Sequence, residues 1–289
     1  MNDATEPRAA EPPRAASGGG WAEGLRTRTI YGALLAAIAG AGILMGDVAF
    51  AFLVAFCAAA MASEWTRLSS AGRFGLPGWL AVLVPLACIA LAHLDRTAAA
   101  LALATFGAAM ALAIARAMSR PAPAWAAAGV LYVALPVVAL VWLRGHDASG
   151  ERMILWLVLA VAASDTGAFF AGRLIGGPLL APRISPKKTW AGLGGAVASS
   201  AGVGLVVSAL DGQAPSAPVL AGAGAILAVV AQAGDLAESA FKRHFGAKDA
   251  SGLIPGHGGM MDRVDGLVAA AACLAVFQWA SAGGVLAWR

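Results

Sequence analysis

The stretch GQAPSAPVLAGAGAILAVVAQAG, residues 212–234, carries no formal charge and runs straight into DLAESAFKRHFGAKDASGLIPGHGGMMDRVD, residues 235–265. A second uncharged run, residues 266–288, follows Asp265. Apolar runs of about 20 residues are long enough for a helix to cross roughly 30 Å of hydrocarbon. The order apolar, charged, apolar therefore predicts two membrane spans that hold a polar cluster at one membrane face. Between Ser239 and Asp265 lie Lys242, Arg243, Lys248, Asp249, Asp262, Arg263 and Asp265, in a chain of which only 12% is charged.

Working outward, uncharged runs also cover 29–46, 48–63, 74–94, 97–115, 121–143 and 189–210, and 153–172 is broken only by Asp165. With 60% hydrophobic residues and a mean hydropathy of +0.75, the 289-residue chain is predicted to be an all-α, polytopic membrane bundle of about nine transmembrane helices. Runs 29–46 and 48–63 are short and only Asp47 separates them, so a tight hairpin or a broken pair of helices fits there. Residues 1–20 are Pro, Ala, Gly and charges. They cannot bury a core, so a disordered cytoplasmic tail is drawn over 1–24. N-terminal spans over 25–150 and a C-terminal catalytic region over 151–289 complete the division. The apolar segment after Arg28 is too long for the core of a signal peptide. Cys57, Cys88 and Cys273 all sit in hydrophobic runs without CxxC spacing and read as buried thiols.

Basic residues set the orientation. With nine spans and the N-terminus inside, sixteen of the twenty Lys and Arg fall on the inner side, and only Arg96, Arg144, Arg152 and Arg289 fall outside. The polar cluster is therefore expected to face the cytoplasm. The formal charge of +4 calls for no nucleic-acid partner, because basic loops suit an anionic leaflet and anionic substrates. The Ala- and Gly-rich helices can approach closely in lipid. The same property would suit a homodimer surface, which nothing in the sequence specifies.

The first five spans carry little chemistry. Glu64, Trp65 and Arg67, and His93, Asp95 and Arg96, read as loop or interface residues. Trp21, Trp65, Trp79, Trp125 and Trp142 lie near span ends and read as aromatic belt residues. From the sixth span onward the character changes. Ser164 and Asp165 lie deep in an apolar run, where an ionisable side chain faces a bundle interior or an aqueous cavity. A glycine-rich basic loop with Lys187 and Lys188 follows. Asp235, Glu238, Ser239 and Lys242 are spaced i, i+3, i+4, i+7 and form one polar stripe on a helix. Asp262 and Asp265 share a face in the same way.

Hard carboxylates on one face suit Mg2+ that is also bound by substrate phosphates. Lys and Arg neutralise the remaining phosphate charge, and Gly258 and Gly259 let backbone approach an anion. Phosphoryl or nucleotidyl transfer is the chemistry such a cluster suits. A solvated interfacial loop whose charges only set orientation is the simpler alternative.

The spacing Ser239, Lys242-Arg243, Lys248-Asp249, Ser251, Pro255, His257-Gly258-Gly259, Asp262-Arg263, Asp265 resembles the signature of the phosphatidate cytidylyltransferases, or CDP-diacylglycerol synthases. SDTGAFFAGR (164–173) followed by SPKKTW (185–190) resembles a second block of that family, and GDLAES (234–239) a third. Phe169 stands where the family pattern has Tyr, and Ala191 where it has Glu, so no polar role is expected at those two positions.

The resemblance implies transfer of a cytidylyl group from CTP to phosphatidate, giving CDP-diacylglycerol and pyrophosphate, with Mg2+ as cofactor, in a bacterial inner membrane. It makes Asp235 and Asp262 the expected main metal ligands, with Asp265 beside them and Asp249, Lys248 and Asp165 near the reacting groups. Lys187, Lys188, Lys242 and Arg243 are expected on the phosphates, with Ser164, Ser239, His257, Gly258, Gly259 and Arg263 completing the substrate site. Competing readings are a lipid kinase, a CDP-alcohol phosphotransferase or a transporter. The DG…AR…G…D…D pattern of the second is absent, and no inverted repeat supports the third.

Overall fold

The computed structural model describes residues 19–254, 258–281 and 286–288. Most of the tail drawn over 1–24, and His257, lie outside the described residues. Nine α-helices are present among those described: α1 Gly19–Leu44, α2 Asp47–Ser69, α3 Gly75–His93, α4 Thr97–Ala117, α5 Ala124–Arg144, α6 Ala148–Leu174, α7 Trp190–Leu210, α8 Ala217–His244 and α9 Met261–Ala280. Helices α2 to α9 are each long and apolar enough to span a membrane, whereas the apolar part of α1, Thr29–Leu44, is shorter. The chain is thus an all-α polytopic membrane protein. Runs 29–46 and 48–63 do form two helices joined by a tight turn at Met45 and Gly46. Asp47 opens α2, which continues past the uncharged run through Glu64 and Arg67 to Ser69.

Backbone hydrogen bonds cannot be left open in hydrocarbon, which is why each apolar run becomes a helix. In the N-terminal half α3 packs on α2, α4 and α5, and α2 also packs on α5. In the C-terminal half α6 packs on α7, α7 on α8 and α8 on α9, while α5 and α2 reach across to α9. Small side chains make these approaches close. Ala58, Ala62, Ala100, Ala104 and Ala111 are fully buried. At Gly234 an added Cβ would stand 2.5 Å from Ala269 Cβ and 2.9 Å from the Asp265 carbonyl oxygen, so α8 and α9 touch backbone to backbone there.

Two features depart from the sequence reading. The loop after α6 contains an antiparallel pair, β1 Leu179–Ala181 and β2 Ser185–Thr189. Strand β2 carries Lys187 and Lys188 up to the start of α7. There the Thr189 hydroxyl accepts the Gly192 N–H and caps the helix. Trp65, read as a belt residue, is instead buried in the core. It stacks on Phe241 at a centroid distance of 3.8 Å and on Tyr132 at 4.8 Å, and donates its indole N–H to the Trp125 carbonyl at 2.9 Å. Its position near a helix end was compatible with both environments; the aromatic partners on α5 and α8 decide for the interior. Trp79 stays 56% exposed, as a belt residue would.

Candidate active site

The polar stripe of α8 meets the first turn of α9 across a cavity of about 500 Å³. Asp165 from α6, Lys187 and Lys188 from β2, Asp235 and Lys242 from α8, Asp249 from the following loop, and Asp262, Arg263 and Asp265 from α9 all line it. Four elements distant in sequence therefore supply one polar chamber at one end of the bundle.

Inside it the charges are ordered. Lys188 Nζ lies 2.7 Å from Asp235 Oδ2 and donates to the Gln232 carbonyl at 3.3 Å. The Gln232 amide donates in turn to Asp165 Oδ1 at 3.3 Å. Ser239 donates to Asp235 Oδ1 at 3.2 Å, bonding one helical turn back to its own stripe neighbour. Lys242 Nζ stands 2.6 Å from Glu238 Oε2 and also pairs with Asp262. Asp262 Oδ2 accepts the backbone N–H of Ala250 at 2.9 Å and of Gly259 at 2.8 Å, which ties both residues to the start of α9. Gly258 sits at φ +81°, in the left-handed region, and a Cβ there would stand 2.9 Å from Asp262 Oδ2. Only glycine gives the loop both that turn and that approach.

One carboxylate oxygen from each of Asp235, Glu238 and Asp265 lies within 4.8 Å of the other two. Glu238 is 1% exposed, and Lys242 is its ion-pair partner among the described residues. Lys188 and Lys242 offset part of the charge of these three carboxylates, whose hard oxygens match the ligand type Mg2+ takes. Asp262, expected as a main ligand, is placed beside this trio, with its oxygens engaged by Lys242 and the two loop amides.

Other expected residues lie further out. Arg243 is exposed in the last turn of α8 and donates to the Ala247 carbonyl, and Lys248 is exposed on the loop that follows; neither lines the cavity. Ser164 is fully buried in α6, away from the cavity lining, with no partner for its hydroxyl among the described residues.

Glu64 is a residue that sequence reasoning passed over. It comes from α2, is 3% exposed, and accepts the N–H groups of Met260 and Met261 at 2.8 Å each and the Ser251 hydroxyl at 2.6 Å. It thereby takes two of the N–H groups left open at the start of α9 and, through Ser251, ties the preceding loop to the N-terminal half. A lone acid at the end of an apolar run was the available signal, but its partners lie some 190 residues on.

Comparison with known proteins places the chain in context. A model of the cytidylyltransferase family matches residues 26–280. The chain is 42% identical over 262 residues to a phosphatidate cytidylyltransferase of Brucella suis, covering 88% of this chain and 93% of that protein. It is 36% identical over 273 residues to one of Pseudomonas aeruginosa, covering 90% and 99%. A Staphylococcus epidermidis phosphatidate cytidylyltransferase is 39% identical over 136 residues, 47% of this chain and 52% of that one.

Proposed function

This chain belongs to the cytidylyltransferase family, and from that premise we infer that it transfers a cytidylyl group from CTP to phosphatidate, releasing pyrophosphate and leaving CDP-diacylglycerol in the bilayer. The observation that carries this is the single chamber lined by Asp235, Asp262 and Asp265 together with Lys188 and Lys242, with Glu238 buried directly behind it against Lys242. A phosphatidate phosphate is already anionic near neutral pH, so its attack on the α-phosphorus of CTP needs no strong base. Two polyanions must instead be relieved of mutual repulsion and held in line. The described residues of the site include the groups for that task.

Asp235, Glu238 and Asp265 are the residues proposed to hold Mg2+, which when bound would neutralise phosphate charge and orient the phosphates. Lys187 and Arg263, which line the chamber, would bind phosphate oxygens directly. Lys188 and Lys242 are held by Asp235, Glu238 and Asp262 in fixed positions, where a bound polyanion can draw on them with little reorganisation. Arg243 and Lys248, exposed beside the chamber, add positive field that attracts CTP.

The connections between α2 and α3, α4 and α5, α6 and α7, and α8 and α9 fall on one side if successive helices cross the membrane in turn. The basic residues of that side support a bacterial inner-membrane location with the chamber toward the cytoplasm, where CTP is. The testing experiment is pyrophosphate release by the purified protein in lipid–detergent micelles. Release is expected only with CTP, phosphatidate and Mg2+ together, and with one CDP-diacylglycerol formed per pyrophosphate. Phosphatidate-independent release, or phosphorylation of a lipid from CTP, would overturn the reading.

A further inference from the structure

A second group of ligand-type side chains gathers at the other end of α2. Asp47 opens that helix and Glu64 lies 17 residues further along it, so the two ends are about 25 Å apart at 1.5 Å per residue. Beside Asp47 stand His93, the last residue of α3, Asp95 in the turn that follows, and His146 in the connection between α5 and α6. One ligand atom from each of Asp47, His93 and His146 lies within 4.8 Å of the other two. His146 Nδ1 is 2.6 Å from Asp47 Oδ2, and its other nitrogen, Nε2, is 3.4 Å from Asp95 Oδ1. The His93 and His146 rings have centroids 5.3 Å apart. A cavity of about 20 Å³ lies among these four residues and Arg144, room for one water-sized species.

We propose that Asp47, His93 and His146 bind a divalent transition-metal ion of the Zn2+ class, with Asp95 positioning His146 through its second ring nitrogen. The donor set selects the metal: two imidazoles and one carboxylate suit Zn2+, whereas Mg2+ and Ca2+ take oxygen ligands. A histidine that gives one nitrogen to a metal and the other N–H to a carboxylate is the usual supporting arrangement of such sites; both nitrogens of His146 face carboxylates, so a metal taken up beside Asp47 would use Nδ1 and leave Nε2 to Asp95. The charges balance, since Asp47 and Asp95 together offset a dication. The nearby Arg144 is committed elsewhere, to Glu151 at 3.1 Å and to the carbonyls of Asp147 and Ile43. Asp95 adopts φ +57°, a left-handed conformation uncommon outside glycine though open to Asp, and it is this turn that brings its carboxylate to His146. The Asp47–His146–Asp95 ion pairs alone involve three of these residues and do not engage His93, which the metal would bring in. A metal would tie the ends of α2, α3 and α5 together on the face away from the reaction chamber.

The test uses the full chain, purified in detergent with any affinity tag removed, as wild type, His93→Ala and His146→Ala. After incubation with Zn2+ and desalting, wild type should retain one more Zn2+ per chain than either variant. Micromolar Zn2+ should raise the melting temperature of wild type by roughly 3 °C or more, and that of neither variant. All three proteins should release pyrophosphate at rates within about twofold, since a shift of well under 1 kcal/mol is expected at the distant chamber. Equal Zn2+ content in wild type and both variants, or a melting shift that survives both substitutions, would overturn the proposal. If a variant does not fold, Co2+ titrated into wild type decides instead. Visible ligand-field bands of a nitrogen-ligated site support it, and a spectrum no different from Co2+ in buffer overturns it.

Discussion

Glu64 shows how much of the site rests on single side chains outside it. Its two oxygens take two α9 amide groups and the Ser251 hydroxyl, and a Cβ at Gly259 would stand 2.7 Å from Oε1. Removing a buried charged acceptor leaves those amides unpaired, a loss of about 1–3 kcal/mol. Glu64→Ala is expected to lower the melting temperature and to cut the rate of pyrophosphate release by roughly tenfold or more, because about 1.4 kcal/mol at the barrier is already a factor of ten. Glu64→Gln, which keeps one acceptor oxygen, should fall between, and a fully active, fully stable Glu64→Ala would show that the cap is dispensable. Glu64 was not legible in the sequence as a site residue because its meaning depends on a contact across the bundle. Asp235 and Asp265 were legible because their spacing against Lys242 and Asp262 already lies on predicted helix faces. Glu238 stood in the same stripe, yet only the approach of α9 distinguishes it from an ordinary stripe residue.

At the scale of elements, the pairing of α8 with α9 makes the carboxylate trio, and Gly234 permits the pairing. Its missing side chain lets the Asp265 carbonyl and Ala269 come within contact distance, which brings Asp235 opposite Asp265. Gly234→Val should push the two helices apart and abolish turnover while the protein still inserts; substantial activity in this variant would mean that the trio need not be so close. The hairpin of β1 and β2 is the second decisive element. The sequence showed a basic, glycine-rich loop, but a five-residue strand containing Pro186 and two lysines has no apolar alternation to reveal it. Only its pairing with Leu179–Ala181 fixes Lys188 on Asp235. Lys188→Met is expected to raise the KM for CTP roughly tenfold or more, the scale of one charged hydrogen bond, measured by CTP titration at saturating phosphatidate; an unchanged KM would remove Lys188 from phosphate binding.

The whole molecule divides its labour between halves. Helices α2 to α5 pack together as a scaffold, and the elements from α6 to α9 line the chamber, with Glu64 and Trp65 as the scaffold's grip on the reaction end. Nine helices were readable from uncharged runs, since an apolar chain in lipid must close its backbone hydrogen bonds, but eight of those described, not nine, are long and apolar enough to cross. The way the helices gather was not, because Ala- and Gly-rich faces pack in many ways and the sequence does not rank them. Chelation of Mg2+ with EDTA should stop turnover with little loss of helical circular dichroism, because apolar packing holds the bundle; restored activity on adding Mg2+ checks the dependence. The most direct test of the chamber itself is the initial rate of pyrophosphate release by purified Asp235→Asn beside wild type, at saturating CTP, phosphatidate and Mg2+. Loss of at least 100-fold in rate, about 2.7 kcal/mol, with unchanged melting behaviour, is the expected result. A rate within twofold of wild type would contradict the assignment of this chamber as the place where the nucleotide is transferred.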